Sequence, residues 1–183
     1  MASNANFISQ FVMGGDPCTY KESGELQAEM SKLTHPARPD VDWRQVEKLC
    51  LALFRQNGVE LQTLVCYVLA ITRRQGLAGM ADGLGSLDIL LQRWADFWPV
   101  QVHSRISLLS WVTEKMQQAL RTLDIQYQDL PQIYRCVQHL SAIETTLQQC
   151  ELWHMTKLDL LAGQFRNTAL RLERLAPQGA ETT

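Results

Sequence analysis

The chain has 183 residues, 46% of them hydrophobic and 20% charged, with a formal net charge of −2 at pH 7. That length and apolar content suffice for one well-buried core, while the near-neutral charge and the lack of any Lys/Arg block leave no electrostatic footprint for nucleic acid. No window approaches the roughly 20 apolar residues that span a bilayer, the start of the chain lacks the basic and apolar regions of a secretion signal, and five widely spaced cysteines suit reduced thiols better than a disulfide framework.

Residues 1–20 carry Phe7, Ile8, Phe11, Val12 and Met13 and then the turn-prone Gly14-Gly15-Asp16-Pro17, which predicts an extended lead-in whose aromatics tuck against the body. A first helix is predicted from Ser23 to Leu33, with Leu26, Met30 and Leu33 on one face, stopped by Pro36 and Pro39. Asp42 is the expected N-cap of a helix over 43–56, where Val46, Leu49, Cys50, Leu53 and Phe54 recur at helical spacing, and Asn57-Gly58 is its left-handed close. Val59 to Gln75 is apolar nearly all round and predicts a central helix sheathed by others.

Gly76, Gly79 and Gly83 then fall at i, i+3 and i+7, baring one side of a helix to a close neighbour. Leu84, Leu87, Leu91, Trp94, Phe97 and Trp98 extend that helix in apolar form to Pro99, which ends it. A further helix runs over 103–123. Asp129 and Pro131 mark another start, and the stretch 130–175 is either one very long helix or two, with a break near 152–156 favoured because Thr156-Lys157-Leu158-Asp159 has the form of a capping box. Assembled, this is an all-α bundle of about seven antiparallel helices, the last two long. It divides into a lead-in (1–20), a helical domain (21–125), a helical hairpin packed on or extending from it (126–176) and a frayed tail (177–183).

Reactive constellations are thin. Cys136, His139, Cys150 and His154 superficially resemble a zinc pattern, but on one continuous helix Cys136 and His154 lie about 27 Å apart at ~1.5 Å per residue. The glycines lack the Gly-Lys-Ser/Thr and the preceding strand of a phosphate loop. No nucleophile elbow or His-Glu-x-x-His occurs, so neither an enzyme, a metal site nor a cofactor is expected. Trp43, Trp94, Trp98 and Trp111 have two readings, as core aromatics or as anchors of a protein interface. Arg105 is suited to clamp carbonyls at the helix end near Trp98. Candidate interface residues are Trp94, Trp98 and Arg105 at that end, with Phe165 and Arg166 on the face of the last helix.

In combination, Gly15-Asp16-Pro17-Cys18, Arg38-Pro39-Asp40-Val41-Asp42-Trp43, Gly76-Leu77-Ala78-Gly79 with Gly83-Leu84, Trp94 to Trp98-Pro99, and Arg105 through Trp111 resemble the ImpA N-terminal domain of TssA-like proteins of bacterial type VI secretion, over residues 10–115. Leu33 to Asp40, Phe54 to Thr63 and the helical part after 125 are similar to the VasL/TagA-type branch. Many members have Lys-Asp-Leu where this chain has Val59-Glu60-Leu61, so a contact through that lysine does not carry over.

The resemblance implies a non-enzymatic, cytoplasmic assembly factor that binds sheath, tube, baseplate or a TssA-type cap protein and controls sheath polymerisation, in the TagA-type branch by stopping and holding it. Self-association is left open, as is association with the inner membrane through partners. Members usually carry a further C-terminal region, so the resemblance implies an N-terminal fragment or a short form. The rival expectations are a peripheral membrane adaptor that docks the distal sheath end, or an enzyme with a pocket between helices.

Overall fold

A computed structural model describes residues 4–176 of the chain, so the expected frayed tail lies outside the described residues. Six α-helices follow one another: α1 (Lys21–Met30), α2 (Trp43–Gln56), α3 (Leu61–Leu91), α4 (Val102–Thr122), α5 (Leu130–Gln148) and α6 (Leu158–Arg174). Short 3₁₀ segments lie between them. The fold is all-α, and because α3 is broken at Gly76 the described residues contain seven α-helical rods, in line with the about seven anticipated from sequence. Among the described residues the only extended pairing is an isolated parallel bridge, Met13 to Val59.

The lead-in differs from expectation, because residues Asn4–Gln10 form a 3₁₀ helix. Its apolar side chains are the reason: Ile8 is fully buried and Phe7 packs against Phe54 and Tyr67. Beyond it, Gly14 N–H donates to the Val59 carbonyl and Val59 N–H to the Val12 carbonyl, both at 2.8 Å. Gly58 has φ +105 there, and a side chain on it would meet the Val12 carbonyl oxygen at 2.5 Å. Glycine is therefore required where the two backbones touch.

α1 and α2 run antiparallel, since Glu22 accepts from Gln56 near one end and Glu29 accepts from the Asp42 amide near the other. Asp42 caps α2 as expected, accepting from Gln45 N–H at 3.1 Å. α1 starts at Lys21, ahead of the predicted Ser23, and after Met30 it tightens into a 3₁₀ turn that ends at Leu33, the predicted stop.

The glycine-rich region is a hairpin rather than one straight rod. Gly76 takes φ +63, ψ −133, outside the helical region, so it breaks the spacing that would have placed it on one face with Gly79 and Gly83. Gly79 abuts the backbone of Ile71, and Gly83 abuts Val68. In a continuous helix, residues 68 and 83 would be separated by over 20 Å at ~1.5 Å per residue; contact requires 61–75 and 77–91 to fold back on each other. The close neighbour that the bare glycines admit is thus the preceding half of α3.

α5 and α6 form a second antiparallel hairpin, shown by Glu144 to Arg166 at one level and Tyr134 to Glu173 at another. They are 19 and 17 residues long, shorter than the 21 of α4. The break falls where sequence placed it, but no capping box forms: Lys157 is left-handed at φ 65 and Asp159 pairs with His154 instead. Asp82 of α3 meets Arg135 of α5 at 2.6 Å, and one hydrophobic cluster runs from Ile8 through Leu87, Ile133 and Leu172.

Candidate docking groove

Helix α3 ends at Leu91, short of the expected stop at Pro99, and residues 92–98 turn across the end of the bundle. Arg105, in the first turn of α4, accounts for this. It is 3% exposed, and its guanidinium donates to the carbonyls of Trp94, Phe97 and Pro99. It also lies over the rings of Trp94 and Phe97, with centroids 4.6 and 3.9 Å away. Three carbonyls that a continuing helix would have to satisfy internally are satisfied here by one cation. The Trp98–Pro99 peptide is cis.

This clamp presents the Trp98 end beside α3 and α4. The Trp98 carbonyl accepts from Leu61 N–H at 3.0 Å, which fixes its backbone, while its ring is half-buried. The ring lines a hollow of about 330 Å³ with Pro99, Gln101, His103 and Ser104. An adjoining hollow of about 480 Å³ is lined by Gln27, Met30, Val65, Cys66 and Trp111. Gln62, Ser107 and Leu108 line both, so the two form one groove along α4, between α1 and the first half of α3. Its lining mixes apolar side chains with amides, hydroxyls and the His103 imidazole, and no Asp, Glu, Lys or Arg lines it. That composition suits an apolar protein segment edged by hydrogen bonds. Burial pushes the Cys66 thiol up to about 12, so at neutral pH it packs as a small hydrophobe.

At the head of α3 sits Glu60, fully buried, accepting from the amides of Gln62 at 2.7 Å and Thr63 at 2.9 Å. Burial raises its carboxyl from the ordinary 4.5 to about 7, against the pull of those N–H groups. The sign follows: the folded chain holds this proton more tightly than the unfolded chain does. Stability from Glu60 is therefore full below about pH 4.5 and is lost as pH rises through about 7, by about 3 kcal/mol at most. Glu60→Gln keeps one acceptor and cannot ionise. Urea denaturation at pH 5 and pH 8 should show a smaller difference between the two pH values for Glu60→Gln than for the wild type.

The five candidate interface residues separate. Trp98 lines the groove. Trp94 is half-buried and turned into the clamp, edge-on to Phe97 at 5.6 Å. Arg105 is not available to a partner, because its charge is spent on the carbonyls. Phe165, 0% exposed, belongs to the core under α6. Arg166 is exposed and pairs with Glu144 at 3.6 Å, on the α5–α6 hairpin and not on the groove. Helical periodicity alone places Phe165 inside, on the stripe with Leu158, Leu161 and Leu172.

Sequence reasoning missed Glu60, since glutamate is a weak N-cap type and the helix was started one residue before it. It also passed over Trp153, buried in the turn between α5 and α6. Among the described residues no group of three or more His, Cys, Asp or Glu is placed to hold a metal ion, and no helix is long and apolar enough to cross a membrane.

The family model for ImpA, N-terminal, type VI secretion system, matches residues 9–114, more than half of the chain. The chain belongs to the ImpA N-terminal family. No match was found among curated proteins or among solved structures. The ImpA N-terminal match opens within the 3₁₀ lead-in and closes two turns before α4 ends, and it contains every residue that lines the groove.

Proposed function

We propose that this type VI secretion chain is a non-enzymatic assembly factor that docks through the α1–α3–α4 groove on a tail component. The component is sheath, tube, baseplate or a TssA-type cap protein, and occupancy stops and holds sheath polymerisation, as in the TagA-type branch. The observation that supports this most is coincidence in sequence: the groove, from Gln27 to Trp111, lies wholly inside the family match. The mechanism is mass action between surfaces, in which a rigid helical body covers the face that the next subunit needs.

Trp98→Ala tests it. The tie of this residue to the fold runs through its carbonyl, which alanine keeps, whereas the ring supplies groove wall. The variant should stay soluble and helical by circular dichroism, while co-precipitation of sheath, tube, baseplate and TssA-type proteins falls at least ~10-fold, the scale of losing a buried tryptophan anchor. Undiminished recovery of those partners by a folded Trp98→Ala protein counts against the groove.

A further inference from the structure

Glu60 stands between two residues whose backbones tie separate parts of the chain together. On one side Val59 is paired with the lead-in through both its N–H and its carbonyl, and on the other Leu61 N–H donates to the Trp98 carbonyl. The carboxyl between them is fully buried and accepts from the amides of Gln62 and Thr63, but no Lys, Arg or His makes a hydrogen bond or ion pair with it. The titratable groups that share its surroundings offer no positive charge: Asp16 comes from the lead-in, Cys50 from α2 and Cys66 from α3. The Trp98 side brings a carbonyl, and Arg105 on α4 is spent on the carbonyls of Trp94, Phe97 and Pro99.

Burial outweighs the two amide donors, so this carboxyl changes charge at about 7. A buried anion without a cation gains most by reaching water. How firmly each neighbour is held decides which one gives way. Thr63, Leu64 and Val65 continue α3 into the core. The stretch 12–16, by contrast, has Val12, Gly15 and Asp16 exposed. It is joined to residues 57–59 by the Gly14–Val59 and Val59–Val12 backbone bonds and by Asn57 Nδ2 donating to the Gly15 carbonyl, each at 2.8 Å. Its departure would also carry away the like charge of Asp16. Segments held by few contacts open locally at a fraction of the cost of global unfolding.

We propose that Glu60 is a pH latch for the lead-in: protonated, it lets residues 12–16 close on the head of α3, and ionised, it releases them while the helices stay packed. The latch belongs to the free chain and holds whatever docks in the groove.

Hydrogen exchange of the 183-residue chain, followed by ¹H–¹⁵N NMR at pH 5.5 and pH 8 and corrected for the intrinsic pH dependence of exchange, tests it. The amides of Gly14 and Val59 should lose roughly 25-fold in protection over that interval, the ratio set by a carboxyl that titrates at about 7 when closed and near 4.5 when released. Glu60→Gln should hold both within about threefold, since it cannot ionise. At pH 8 the wild-type protection of Gly14 and Val59 should lie about tenfold or more below that of Leu140 and Leu161, buried in α5 and α6, because the lead-in opens alone. Equal protection at all four amides would mean that Glu60 ionises only when the whole chain unfolds, and would overturn the proposal. So would unchanged protection of Gly14 and Val59 between the two pH values, which the wild type alone reveals, or an equal loss in Glu60→Gln.

Discussion

Arg105→Ala is expected to lose about 4 kcal/mol of folding stability, a large part of what a domain of this size has. The wild-type guanidinium donates to three carbonyls from inside the protein and stacks over two aromatic rings. Hydrogen bonds to a charged donor are worth roughly 1.5–3 kcal/mol each, and removing the donor leaves buried acceptors that pay their full desolvation cost. Truncation also opens a cavity beneath Trp94 and Phe97. Arg105→Lys should fall in between, because one ammonium keeps the charge but does not reach all three oxygens. Urea unfolding followed by tryptophan fluorescence checks the order wild type, Lys, Ala. A shift of under about 1 kcal/mol for Arg105→Ala would mean that residues 92–99 hold their course without the clamp.

Gly79→Ala is expected to be as severe, costing about 4 kcal/mol or more and leaving little soluble protein. Its new methyl carbon would lie 2.0 Å from the Ile71 carbonyl oxygen, a backbone atom that cannot rotate away. The two halves of α3 would have to separate, and the buried residues between them, among them Val68, Met80 and Leu84, would lose contact. Gly83→Ala is the internal control. Its methyl meets Val68 Cγ1 at 2.7 Å, a side-chain atom that a rotamer change can move, so about 1–2 kcal/mol is expected. Soluble yield and thermal melts of the pair read the contrast; similar mild effects at both positions would contradict a closely packed α3 hairpin.

Much of this fold was legible in periodicity. Val46, Leu49, Cys50, Leu53 and Phe54 defined α2 to the residue, with Asp42 as its cap, because a local pattern and a local hydrogen bond decide that helix. What escaped was decided by contacts distant in sequence. The Gly76 turn differs from a helical glycine only in φ, and three glycines at helical spacing cannot say which of them breaks the helix. The stop at Leu91 depends on an arginine eleven residues beyond Trp94, so apolar spacing through Trp98 ran past it. At the candidate site, Trp98 was visible as an aromatic beside a proline. Its partners Gln62, Leu108 and Met30 sit on three different helices, and their meeting is a property of packing. Arg105 was read correctly as a carbonyl clamp, and that role is what removes it from the interface.

The most direct test puts a photo-crosslinking amino acid at Ser107, exposed and lining both halves of the groove, with Lys48 on α2 as the comparison site. In cells with an active type VI secretion system, irradiation should join position 107, and not position 48, to a sheath, tube, baseplate or TssA-type protein. Adducts with those proteins from position 48 and none from position 107 would show that another face of the bundle makes the contact.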